Sequence, residues 1–263
     1  DMYGPLNNIT IAERQKNPQF TIIRDAVHPD APGQVVMAFA LLSDMNVQRQ
    51  VSRITVSKKA NGEATSTARG GKLSDLKYSD DGVSFTWLAD SLPWVVPAEA
   101  KLGAELTKLG HRMSQESLSI HDLPPGRYEL SIDGEVVGQY SNTTLARHVE
   151  LQGNPKTPQY QQAMQVALLN KERNDGPVKD KRNTWRVFQA YARMKRELDA
   201  QGDQKDQKTV AKLAELDKRL ADQDRVIQES EAAAKALEDK IYEINQPEAR
   251  KYVLKKVTAA KKK

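Results

Sequence analysis

Cysteine is absent from the 263 residues. That excludes a disulfide scaffold, a Cys-ligated zinc site and a thiol nucleophile. Histidine is scarce, with only His28, His111, His121 and His148. No His-Glu-x-x-His and no paired-His spacing occurs, so neither a resident metal nor any other cofactor is expected. Long apolar runs are missing too. The longest, residues 35–42, falls far short of the ~18 residues a membrane-spanning helix needs. Residues 1–10 lack a basic stretch followed by an apolar one, so no signal peptide is present, although a processed start would look the same.

Charge is present in both signs but is unevenly spread. Residues 1–170 hold 16 Lys/Arg against 18 Asp/Glu, whereas residues 171–263 hold 24 against 17. The chain's +5 is therefore a property of its tail. Acids alternate with bases through most of that tail, which is the pattern of solvated helices rather than of a nucleic-acid surface. Nucleic acid is not an expected partner.

Three zones follow from periodicity and turn signals. In residues 1–48, Phe20-Thr-Ile-Ile23 reads as a short buried strand. Residues 34–45 read as a largely apolar helix capped by Asp30, with Pro32 in its first turn. Residues 49–152 are β-rich, with strands over 51–57, 83–88, 117–120, 126–132 and 135–140. Asp133-Gly134 is the strongest hairpin turn in the chain, and Asp81-Gly82 marks another. Residues 93–109 have room for a short helix. Residues 153–263 read as helical: 157–171, then 181–200 after the break at Asn174-Asp-Gly-Pro177, then a long helix over 207–245. Leu213, Leu220, Ile227, Ala234 and Ile241 form one heptad row of that helix. Leu216, Gln223, Ser230, Leu237 and Ile244 form its partner. A seam this narrow needs cover, from the antiparallel 181–200 helix and, beyond its reach, from a second copy.

The segment with most chemical content is Asp25-Ala-Val-His28. An Asp three residues before a His can fold its carboxylate onto one imidazole nitrogen. The other nitrogen is then free to take a proton from a serine. Pro29 and Pro32 stiffen the loop. The bland alternative is a surface loop whose polar residues merely cap the next helix.

The stretch Asp25-Ala-Val-His-Pro-Asp-Ala-Pro-Gly-Gln-Val-Val-Met-Ala38 resembles the last block of SGNH (GDSL-type) hydrolases. Residues 116–138 (Glu-Ser-Leu-Ser-Ile-His-Asp-Leu-Pro-Pro-Gly-Arg-Tyr-Glu-Leu-Ser-Ile-Asp-Gly-Glu-Val-Val-Gly), 157–162 (Thr-Pro-Gln-Tyr-Gln-Gln) and 183–186 (Asn-Thr-Trp-Arg) are similar to the downstream region of a planctomycete-type subgroup. The resemblance covers about residues 20–200. It implies a Ser-Asp-His triad in which Asp25 orients His28, the general base. It also implies an α/β piece that ends a flavodoxin-like domain (1–48), a β-rich, sandwich-like domain (49–152), and a helical region with a coiled-coil-like arm (153–263).

The family's Gly-Asp-Ser is not in this chain, and its glycine and Asn oxyanion blocks would precede Asp25. Ser91 and Asn174-Asp175 lack the matching context. The resemblance therefore implies the C-terminal part of a serine ester hydrolase. A missing N-terminal segment or a second polypeptide would complete the α/β sheet and supply the nucleophile, and the isolated chain would be inactive. The resemblance implies an ester substrate, of the acylated-carbohydrate class, met in a secreted or periplasmic setting. The alternative function is a non-catalytic interaction protein with a sandwich module and a helical oligomerisation arm. Among other candidates, His121-Asp122 and His148-Val-Glu150 read as surface or loop pairs before metal ligands. Trp87, Trp94 and Tyr140 read as core aromatics before sugar platforms. Asp80-Asp81 and Asp133-Gly134-Glu135 read as turns before calcium ligands.

Overall fold

The computed structural model describes residues 1–202 and 206–257. In chain order its elements are α1 (Tyr3–Arg14), α2 (Ala31–Asp44), β1 (Gln50–Lys58), β2 (Ala64–Arg69), β3 (Gly71–Ser79) and β4 (Gly82–Ala89). There follow α3 (Lys101–Thr107), α4 (Leu109–Met113), β5 (Gln115–Ile120), β6 (Arg127–Ile132), β7 (Glu135–Ser141), α5 (Asn142–Arg147) and β8 (Val149–Glu150). Last come α6 (Pro158–Arg173), α7 (Lys179–Asp199), α8 (Gln207–Leu220), α9 (Gln223–Ile244) and β9 (Arg250–Lys256). The chain divides into two units, residues 1–167 with 245 onward, and residues 168–244. The expected zones 1–48 and 49–152 both lie in the first unit, and the expected helical zone contributes to both.

The first unit is mixed α/β with two sheets. One runs β2-β1-β5-β8, the other β3-β4-β9-β6-β7. Alternation explains why both sheets bury one face. Val83, Phe85 and Trp87 of β4 turn inward, as do Tyr128, Leu130 and Ile132 of β6. They meet Ile54, Val56, Leu118 and Ile120 of the other sheet in a single core. The edge strands β2 and β3 are mostly polar, which blunts their open edges and hides them from a hydrophobicity pattern. The Asp133-Gly134 turn joins β6 to β7 as expected, with φ of 52° and 90°.

The strand expected at 20–23 is a correction. Residues 20–23 are a loop segment with a bend at Ile22, and no described strand pairs with them. A lone apolar tetrapeptide with no ladder partner cannot be a sheet strand. Ile22 is nonetheless buried with Leu6 and Val36. Residues 250–256 correct the expectation of a wholly helical C-terminal zone. There Tyr252 and Leu254 turn into the core while Lys251 and Lys255 face out. The flanking lysines mask that alternation in the sequence.

The second unit is a helical hairpin. The helix expected over 207–245 is interrupted at Ala221–Asp222, giving α8 and then α9. The break expected at 174–177 is a π-type turn, Asn174–Val178, in which Gly176 leaves helical geometry. Arg173 reaches Glu238 (3.0 Å) and Lys181 reaches Glu231 (2.5 Å), so α7 and α9 run antiparallel. Leu216 of α8 and Leu198 of α7 are buried, and the other heptad leucines and isoleucines are half-buried. A charge at Leu216 would have no water to solvate it. Leu216→Asp is expected to cost more than about 3 kcal/mol and melt the arm. Helical circular dichroism should fall sharply while the near-UV band of buried Trp87 persists.

Candidate functional site

The loop between residues 22 and 31 is built by three short-range devices. The Asp30 amide donates to the Ile22 carbonyl (3.0 Å), closing the loop at its base. Asp30 Oδ1 accepts from the Gly33 amide (3.0 Å), capping α2. A side chain at Gly33 would strike the Ile22 carbonyl at 2.7 Å, so only glycine lets α2 approach this closely. Inside the loop, Asp25 Oδ1 accepts the backbone N–H groups of Val27 (3.0 Å) and His28 (2.7 Å). Ala26 between them sits at φ 61°, a left-handed conformation unusual for alanine.

These constraints leave Asp25 Oδ2 2.7 Å from His28 Nδ1. The structure thus brings together the two residues singled out in the sequence. The two amide-to-carboxylate bonds and the imidazole hold the Asp25 carboxyl well below the usual carboxylate range, the His28 amide and ring contributing most. An ionised Asp25 fixes Nδ1 as the protonated nitrogen and leaves Nε2 as the acceptor. The His28 side chain is 81% exposed, and among the described residues it has no other hydrogen-bond partner. Chemically, the pair can receive a proton at Nε2 and stabilise the resulting imidazolium. It carries no nucleophile of its own.

The remaining sequence candidates are structural. Trp87 is buried between the sheets, Tyr140 packs at the edge of the same core, and Trp94 packs against the α2–α4 layer. None offers an open platform. Asp133 accepts from Arg250 and the Lys251 amide, and Asp80 pairs with Lys58. Asp122 accepts the Lys58 amide, and the His121 carbonyl accepts from Tyr78. No group of three His, Asp or Glu side chains among the described residues is arranged to hold a metal ion. No described helix is long and apolar enough to cross a membrane.

The His148–Glu150 pair seen in the sequence gains a partner, His111, that is distant in the chain, and a second cluster of distant residues escaped the sequence reading altogether. His111 Nδ1 sits 2.7 Å from Glu150, and His148 Nε2 lies 3.5 Å from the same oxygen. Burial opposes ionisation of Glu150, yet donors from Gln115, Gln152 and His111 outweigh it and bring the carboxyl down to about 2. The second cluster surrounds Glu116, which is 3% exposed. Trp87 Nε1, Glu116 Oε2, Gln159 Oε1 and Arg250 Nε line one small cavity and have no protein partner there. Burial pushes Glu116 up to about 7, against a weaker opposing hydrogen bond with Gln159.

No protein-family model matches the chain, and no curated protein matches it in sequence. Among solved structures, the chain is similar to a gut microbial diltiazem-metabolizing enzyme. The two are 27% identical with a TM-score of 0.76, over 97% of this chain and 61% of that one. The chain therefore spans about three-fifths of the length of that enzyme.

Glu116 yields a pH prediction. Its folded pKa of about 7 lies above the ordinary 4.5, so its neutral form is the one the fold favours. The stability that depends on this proton is complete below about pH 4.5 and is lost as pH rises toward 7. The loss over that window is roughly 3 kcal/mol, at 1.36 kcal/mol per pKa unit. In denaturant titrations, Glu116→Gln should flatten the stability profile between pH 4.5 and 7. An unchanged slope would show that Glu116 titrates normally.

Proposed function

We propose that the chain is part of a serine ester hydrolase in which His28 is the general base and Asp25 its positioning partner. The observation that carries this is the exposed Asp25–His28 pair, with Nδ1 held by the carboxylate and Nε2 turned to solvent. That arrangement prepares a proton acceptor for a hydroxyl nucleophile. The likeness to a diltiazem-metabolizing enzyme supports the reading at a coarser level, since diltiazem bears an ester. Membership in the SGNH group rests on the Asp25-x-x-His28 block and its order with the downstream stretches.

On this reading the serine and the oxyanion donors come from a polypeptide segment outside these residues. It would add to the α1–α2 layer and finish a flavodoxin-like sheet. Two features support that partner. The apolar loop segment at 20–23 buries Ile22 against Leu6 and Val36 but has no described strand beside it. Met2, Tyr3, Ile11, Leu41 and Met45, on or beside α1 and α2, are exposed apolar side chains of the kind a further layer covers. The serine hydroxyl would donate its proton to His28 Nε2, which then returns it to the leaving alcohol oxygen, and an acylated carbohydrate is one substrate class consistent with so open a loop.

The isolated chain should hydrolyse p-nitrophenyl acetate no faster than its His28→Ala variant. A complex with the segment carrying the nucleophile should turn over, and His28→Ala in that complex should lose roughly 10³-fold in kcat. Asp25→Asn should also lower kcat there, with KM little changed, because it removes the positioning carboxylate rather than a substrate contact. Full activity of the complex with His28→Ala would overturn the assignment. It would favour the second reading, a non-catalytic interaction module.

A further inference from the structure

Four buried polar atoms line one small cavity of the first unit and have no protein partner there: Trp87 Nε1, Glu116 Oε2, Gln159 Oε1 and Arg250 Nε. They come from four elements, β4, β5, α6 and β9. β4 and β9 belong to the larger sheet and β5 to the smaller, so both sheets contribute to the cavity. Ala89, Leu92 and Pro247 supply its apolar walls.

These atoms are held where they are by the other bonds of the same side chains. Arg250 is tied at its far end, where Nη1 donates to Asp133 (3.1 Å) and Nη2 to Gln162 (2.8 Å). Gln159 Nε2 donates to Tyr252 Oη (3.1 Å), and the Gln159 side chain also serves the Glu116 carboxyl as a donor. Those two bonds fix the orientation of the amide and leave Oε1 as the acceptor at the cavity. Trp87 and Glu116 are buried, so solvent outside the cavity does not reach them. A buried donor or acceptor left unpaired costs the full desolvation of that group. Four in one place is far more than a native interior leaves without an ordered partner.

The four groups define what fits among them. Two are N–H donors and two are oxygen acceptors. Glu116 Oε2 accepts whether the carboxyl is ionised or carries its proton on Oε1. A cation is repelled by the indole and guanidinium N–H groups, and an anion by the two oxygens. The occupant must accept two hydrogen bonds and donate two, which is the capacity of one water molecule. The space agrees. The cavity offers about 10 Å³ to the centre of a water-sized sphere, roughly what a single water needs and too little for a second. We infer that this cavity is the binding site of one structural water, which accepts from Trp87 Nε1 and Arg250 Nε and donates to Glu116 Oε2 and Gln159 Oε1. The water is a polar joint between β5 of one sheet, β4 and β9 of the other, and the first turn of α6. It also completes the Arg250 guanidinium, whose Nε, Nη1 and Nη2 then all donate. The inference is independent of the esterase reading.

The test is a crystal structure of the full chain at a resolution that shows ordered water, paired with water-to-protein nuclear Overhauser spectra of the isotope-labelled chain. Wild type should show one density peak within about 3.2 Å of all four atoms. It should also show direct magnetisation transfer from water to the Trp87 indole proton, a resonance assigned by its loss in Trp87→Phe. Glu116→Gln keeps an acceptor oxygen and should keep both the peak and the transfer. Glu116→Met with Gln159→Met removes both acceptors and fills the space with apolar atoms. That variant should lose the peak and the transfer, and its indole proton should move upfield. A wild-type cavity without a peak would overturn the inference, as would a peak that leaves any of the four atoms uncontacted. Direct pairing of the four groups with one another, or an anomalous signal from a metal ion at the site, would overturn it equally. So would transfer from water that persists in the folded double variant.

Discussion

Everything in the first unit depends on where β9 lies. It fills the slot between β4 and β6, pairing antiparallel with both. Its Tyr252 stacks on Phe85 with centroids 4.9 Å apart, and its Leu254 completes the core beneath Leu130. Without it, the five-stranded sheet falls into two hairpins, β3–β4 and β6–β7, each too small to be stable alone. The strand also brings Arg250 onto Asp133, and Tyr252 onto Gln159 of α6. One seven-residue strand thereby ties the larger sheet to Gln159 in the first turn of α6.

That placement dictates the chain's organisation. α6 leaves the first unit and β9 returns to it, so the residues between them form a loop out of a finished domain. The loop is long enough to make its own helical hairpin, and the Asn174–Val178 π-type turn redirects the chain into it. The Glu116 cavity lies where α6, β5 and β9 converge. A buried carboxyl near neutral pKa at that junction makes the junction sensitive to protonation, which a purely apolar contact would not be.

How far the sequence could be read depends on range. The Asp25–His28 pair was legible because all its parts fall within nine residues: the Asp30 cap, the glycine at 33 and the two prolines. The β6–β7 hairpin was legible for the same reason, through Asp133-Gly134. The β9 strand was not, because its pattern is surrounded by lysines and both its partners are far away in sequence. The His111–Glu150 pair and the Glu116 cluster join residues some 40 or more positions apart, and nothing local announces them. The long helix was overextended because heptad spacing continues across Ala221–Asp222 while the backbone hydrogen bonds do not.

The late position of β9 has a consequence for how the protein is made. A nascent chain can pair β1 with β2, β3 with β4 and β6 with β7 as each emerges, since those contacts are local. The central slot of the larger sheet stays open until residue 256 has been translated. Through that interval β4 and β6 each present a bare edge of unpaired backbone groups, beside the incompletely covered core side chains Val83, Phe85, Leu130 and Ile132, the kind of surface that mispairs or recruits chaperones. The helical hairpin must also be threaded out before the closing strand arrives. Closure of the larger sheet therefore waits for β9, the last of its five strands in chain order.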